Sequence, residues 1–160
     1  IRRDAVMSTA SSDIRAVLIQ TEFSRLLLPN ATISEVLSYA EPDPVANAPD
    51  WLLGSLRWRG WRLPLVAFAP FSGQGRDQGG LGHKVVVLKT LGGQPTMPFF
   101  ALLTRGFPRL VTVSREGLQA DGDAASQMPG VRAHVRFNDE QAVIPDIDGI
   151  ELALRGAMAA

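Results

Sequence analysis

No cysteine occurs in the 160 residues, so the chain has no disulfide framework, no thiolate nucleophile and no cysteine-ligated zinc. That composition fits a reducing compartment, and a cytoplasmic location is expected. Net charge is also missing: 16 basic residues balance 16 acidic ones, which removes the long-range field that draws proteins onto nucleic acid or anionic lipid. No apolar run approaches the roughly 20 residues of a membrane span, and residues 1–13 lack the apolar core of a signal peptide. Direct membrane insertion is therefore not expected.

Catalytic and cofactor patterns are equally scarce. The only histidines, His83 and His134, lack HxxxH or HExxH spacing, so no metal is expected, and His83 reads as a solvated loop residue. The glycine-rich stretch from Gly73 to Gly82 is neither GxGxxG nor a Walker pattern. No serine sits in a GxSxG elbow. The acidic pairs Asp121 with Asp123 and Asp146 with Asp148 fall in or beside turns, where solubility or a strand end explains them. No enzymatic activity and no cofactor are expected.

What is present is a chain that is 46% hydrophobic and 20% charged, enough to bury a sizeable core. Residues 1–13 read as an unstructured N-terminus, with Met7 as a native start and residues 1–6 as a non-native remnant. Ala16 to Ile19 is a short apolar run suited to a strand buried on both sides, with residues 25–28 as its hairpin partner. Asn30 is placed to cap one helical turn before Glu35 resumes an extended path. Pro42, Pro44 and Pro49 make residues 41–50 an irregular crossing loop. Residues 72–82 read as a surface loop dividing the chain into halves. Strand-like segments follow at 84–90, 98–104, 110–113, 131–137 and 142–147, with a loop at 117–130 and a short amphipathic helix at 150–159. The fold class expected is all-β with short helices.

All three tryptophans fall between Ala48 and Val66. Leu56 and Trp58 alternate with Ser55, Arg57 and Arg59, the period-two pattern of a half-buried strand. Arg59-Gly60 reads as a tight turn, and Trp61, Leu63 and Leu65 then share one side of a return strand. Trp58 and Trp61 are assigned to packing. Pro64 cannot donate to a ladder, which predicts a sheet edge or a bulge there. Arginines interleaved with tryptophans also suit single-stranded nucleic acid, but alternation sends Trp58 away from Arg57 and Arg59, which argues against that use. A similar strand, turn and strand with an inserted proline runs from Ala133 to Ile147 around Asn138-Asp139. This faint repeat is consistent with two similar small barrels.

Taken in order, Leu26-Leu27-Leu28-Pro29, Ile33-Ser34-Glu35-Val36-Leu37, Ala48-Pro49-Asp50-Trp51-Leu52-Leu53-Gly54, Arg59-Gly60 and Leu63-Pro64-Leu65-Val66 resemble the signature of CheW-like domains, the adaptors of bacterial chemosensory arrays. The likeness spans residues 14–155 and is sharpest through Phe68. Ile144-Pro145-Asp146-Ile147-Asp148 is similar to the family's last strand. The resemblance implies two five-stranded SH3-like barrels on a shared core within residues 14–160. The first would cover mainly residues 25–82 and the second 83–147, with terminal segments crossing between them.

The resemblance also implies work by binding alone. Such adaptors join the regulatory domain of a CheA-type histidine kinase to the cytoplasmic tips of methyl-accepting chemoreceptors, so recruitment to membrane-associated receptor arrays is expected. By motif position, Glu35 and Arg59 match a family pair that shapes the receptor-facing surface, with Val36, Leu53, Gly54 and Gly60 around it. The pair is expected to be partly buried between adjacent strands. Arg57-Trp58 replaces the family's Asn-Leu, and Trp51, Trp58 and the C-terminal half are similar to the accessory adaptors of chemosensory systems that control type IV pilus twitching motility. A small-molecule-binding barrel and a single-strand nucleic-acid barrel are the alternatives.

Overall fold

A computed structural model describes residues 13–91, 97–120 and 128–159. Residues 1–12, which include Met7, and the pair Asp121 and Asp123 lie outside the described residues. The strands form two sheets. The first contains β1 (Asp13–Gln20), β2 (Arg25–Pro29), β8 (Arg109–Ser114), β9 (Gln119–Ala120), β10 (Val131–Phe137) and β11 (Glu140–Pro145), in the order β8-β1-β2-β11-β10-β9. The second contains β3 (Ile33–Ser38), β4 (Leu52–Trp58), β5 (Trp61–Val66), β6 (His83–Lys89) and β7 (Phe99–Arg105), in the order β3-β6-β7-β5-β4. These are two SH3-like subdomains, mostly β as expected, the sixth strand of the first sheet being the two-residue β9.

The apolar runs explain the arrangement. Alternation along β1 sends Ala16 and Leu18 into the first sheet's own core and Val17 and Ile19 into a core shared by both sheets. In β6, Val85 and Val87 enter the second sheet's own core while Val86 and Leu88 join the shared one. A strand buried on both faces needs an unbroken apolar run, which is what β1, β6 and β7 carry. Phe68 and Phe100 fill the shared core with no solvent exposure, each contributing roughly 1.5–3 kcal/mol of burial.

The chain is not divided at residues 72–82. β6 and β7 pair into the second sheet with β3 and β5, whereas β1 and β2 join β8 to β11. Both faces of β6 and β7 are apolar, so composition alone could not say which sheet they enter. The stretch 72–82 is also less exposed than its polarity suggested: Ser72 and Asp77 are buried, and a one-turn helix α1 (Phe68–Phe71) leads into it.

The repeat is present. Arg59 and Gly60 have φ of 48° and 80°, and Asn138 and Asp139 have 47° and 62°, so both hairpins close with a two-residue turn of positive φ. In each, the return strand then pairs in parallel with another strand, β5 with β7 and β11 with β2. Pro64 is therefore not on an edge strand, since β5 lies between β4 and β7. The β7 ladder instead begins at Leu65, one residue past the proline that has no N–H to give.

Near Asn30 the turn is a short 3₁₀ segment, Asn30–Thr32, with no side-chain cap. The C-terminal helix α2 (Ile147–Ala159) starts three residues earlier than expected because Asp146 caps it, accepting from the Gly149 N–H at 3.2 Å. Arg132 lies 3.1 Å from Asp146 and 3.8 Å from Asp148, which accounts for that acidic pair structurally.

Candidate protein interaction surface

The β4–β5 hairpin ends in a tip built from its own sequence. A two-residue turn with φ positive at both positions favours glycine, and Gly60 has no atom within 4 Å of an added Cβ, so its role is the turn itself. The turn carries Arg59 out to solvent. Its guanidinium donates from Nη2 to Glu35 Oε1 at 2.9 Å. The same oxygen accepts the Trp58 indole N–H at 3.0 Å, and the Arg59 guanidinium lies 4.9 Å from the Trp58 ring centroid. One carboxylate oxygen, one indole and one arginine thus form a compact charged cluster.

Glu35 shares its side of β3 with Leu37, which packs on the second sheet's core together with Trp58. Trp58 is 8% exposed and meets Phe99 edge to face at 5.0 Å. Only the Glu35 half of the pair is partly buried: its side chain is 36% exposed, whereas that of Arg59, carried out on the turn, is 69% exposed. Their strands are not adjacent, since β3 and β4 are the two outer strands of the order. Such an exposed pair contributes about 0.2–1 kcal/mol, far below the cost of a buried one.

The other expected site residues separate. Gly60 stays at the tip. Val36, one residue from Glu35, faces the opposite side and packs on the shared core. Leu53 packs on the second sheet's core, next to a break in register between Leu52 and Gly54. Gly54, at φ 148°, lies under the crossing loop, where an added Cβ would stand 2.4 Å from the Asp43 carbonyl oxygen. That closeness lets Asp43 and Ser55 exchange both backbone hydrogen bonds, at 2.9 and 2.8 Å.

Trp61, assigned to packing, packs only in part: it meets Phe99 edge to face at 6.3 Å but is 39% exposed at the rim. His83 is not a solvated loop residue: it begins β6, and its side chain, 14% exposed, lies 3.7 Å from the buried Asp77 carboxylate. Burial first, and then the Glu22 charge, hold the Asp77 carboxyl above its ordinary value, against the opposing pull of His83 and Arg105. Glu22 in turn pairs with Arg105. Sequence reasoning missed this cluster because its members lie in separate segments joined only by folding. Among the described residues no group of three or more acidic or histidine side chains is placed to hold a metal, and no helix is long and apolar enough to cross a membrane.

Two SH3-like subdomains on a shared core, with an exposed hydrogen-bonded tip on one of them, define a class of small β scaffold. The family model for the CheW-like domain matches residues 15–152, and the chain belongs to that family. Its fold is similar to that of the scaffolding protein TtCheW from Thermoanaerobacter tengcongensis, with a TM-score of 0.69, 12% identity, and coverage of 83% of this chain and 88% of that one. No curated protein sequence matches the chain.

Proposed function

We propose that this chain is a non-catalytic adaptor that couples chemoreceptors to a CheA-type histidine kinase. The observation that carries the reading is the family match over residues 15–152 together with the Glu35–Arg59 pair, formed at an exposed turn. An exposed pair adds little to folding, so its charges and shape remain available to a partner. The receptor tip meets this hairpin end, the kinase regulatory domain meets other subdomain edges, and the protein works in the cytoplasm at membrane-associated arrays. The likeness of Trp51, Trp58 and the C-terminal half to accessory adaptors favours a chemosensory system that drives type IV pilus twitching motility.

A small-molecule reading draws on an apolar cavity at the mouth of the first sheet, lined by Ile14, Leu27, Val113 and Ile144 among others. Its volume of ≈ 170 Å³ falls below the roughly 300–1,000 Å³ of typical ligand sites, which favours the adaptor.

The test is a charge swap read in a pull-down with a receptor cytoplasmic fragment. Arg59→Glu abolishes capture, and adding Glu35→Arg restores part of it. Restoration is partial because an arginine at 35 cannot accept the Trp58 indole proton. A double variant no better than the worse single one sinks the role of the pair. Loss of capture by the kinase regulatory domain as well as the receptor fragment, from the intact protein, sinks the adaptor reading itself.

A further inference from the structure

The outer face of the β4–β5 hairpin carries a charge arrangement that neither the fold nor the tip explains. Arg57 and Arg62 are directly opposite one another across the ladder, so two like charges occupy one cross-strand pair, an arrangement that destabilises a hairpin. Arg62 has a counter-charge, Asp43 Oδ2 at 3.6 Å, and both of those side chains are more than half exposed. Arg155, on the exposed side of α2, joins Arg62 around a groove of ≈ 260 Å³. Among the described residues, neither Arg57 nor Arg155 has an ion pair.

The groove exists because β5 and β7 diverge. Among the described residues their ladder holds only Leu65 with Ala101 and Val66 with Leu102, which leaves Trp61 to Leu63 without a described partner on that side. Trp61, Phe99 and Met158 line the gap with apolar surface beside Arg62 and Arg155. We propose that this groove binds an acidic segment of a partner protein, which seats one large apolar side chain in the gap and sets its carboxylates on Arg57, Arg62 and Arg155.

Charge complementarity selects an anionic occupant, and the remaining features select peptide among anions. Backbone along Trp61 to Leu63, paired to β4 on one side and on the other without a partner among the described residues, offers hydrogen bonds to an extended peptide, and the gap is sized for one or two side chains. A nucleic-acid strand would need several exposed rings to stack on beside the arginines, but Trp58 is buried and Trp61, which lines the groove with Arg62, is engaged edge to face with Phe99 at 6.3 Å. The inference rests on the outer face and does not depend on the role of Glu35 and Arg59.

Selection from a phage-displayed random peptide library against the immobilised full chain tests this, followed by titration of the selected peptides by fluorescence anisotropy. Enriched peptides carry several Asp or Glu beside a large apolar residue. The variant Arg57→Ala, Arg62→Ala, Arg155→Ala binds them about tenfold or more weakly while melting as the parent does, and Met158→Glu weakens them too, through repulsion at the gap. The proposal is overturned if enriched peptides are neutral or basic, or if none emerges. It is also overturned if the triple variant binds undiminished, or if an oligothymidine or a phosphatidylglycerol vesicle binds the parent more tightly than the peptides.

Discussion

Glu35 and Trp58 sit on the two outermost strands of the second sheet, and the 3.0 Å hydrogen bond from the indole N–H to Glu35 Oε1 draws those two edges together. No backbone ladder joins β3 to β4, so this bond and the side chains packed beneath it roll the sheet. Glu35 therefore has a structural duty besides its pairing with Arg59.

The two duties separate by substitution. Glu35→Gln keeps a carbonyl acceptor for the indole and changes stability by less than about 0.5 kcal/mol, whereas Glu35→Leu orphans that donor and costs about 1–3 kcal/mol. Arg59→Ala costs less than about 1 kcal/mol because its side chain is 69% exposed. Urea midpoints rank the three, and an Arg59→Ala loss as large as that of Glu35→Leu would contradict the assignment.

Gly54 and Gly60 both have positive φ but answer differently to alanine. At Gly60 only backbone strain opposes the Cβ, about 1–2 kcal/mol. At Gly54 the Cβ also meets the Asp43 carbonyl oxygen at 2.4 Å and Pro42 Cβ at 2.8 Å, both belonging to the chain that pairs with Ser55. Gly54→Ala accordingly destabilises more than Gly60→Ala, by about 1–3 kcal/mol beyond it, and exposes the amides of Asp43 and Ser55 to hydrogen exchange. Equal midpoints for the two variants would refute the close approach.

The three apolar runs Ala16–Ile19, Val85–Leu88 and Phe100–Leu103 made most strand positions legible, as did the turns at Arg59-Gly60 and Asn138-Asp139. Sheet membership was not legible, because a strand apolar on both faces satisfies either sheet equally until the partners are known. Pro64 illustrates the same limit: its missing N–H announced an interrupted ladder, but not whether the interruption fell at an edge or within the sheet. Trp61 follows the alternation of Leu63 and Leu65, yet it is exposed because it stands at the rim, which periodicity does not register. The Glu35–Arg59 pairing was readable only through resemblance to a family. Its exposure and the shared Trp58 donor required the folded geometry.

The two tryptophans of the hairpin give a further contrast. Trp58 is 8% exposed, donates to Glu35 and packs on Phe99, so Trp58→Ala leaves a cavity and costs about 3–5 kcal/mol. Trp61, 39% exposed, costs well under half of that. Acrylamide quenches the fluorescence removed by Trp61→Phe more readily than that removed by Trp58→Phe. The opposite order of quenching would place the wrong indole in the core.

Asp77 makes a prediction about pH. Its carboxyl is held above the ordinary value of 3.8, by burial first and by Glu22 second, so the folded state binds its proton more tightly than the unfolded state does. A raised acidic pKa means that this group's contribution to stability is full below the unfolded value and is lost as pH rises through the folded one. Ionised Asp77 thus weakens the fold at neutral pH, with His83 at 3.7 Å and Arg105 offsetting part of the penalty. Asp77→Asn removes the ionisation and retains an oxygen able to accept from the Glu22 backbone. The variant is therefore more stable than the parent at about pH 7, and the difference shrinks as pH falls toward about 4. Urea midpoints across that range check the sign. A variant less stable at neutral pH, or a gap that widens on acidification, would mean that His83 and Arg105 outweigh burial and that Asp77 is held as a carboxylate.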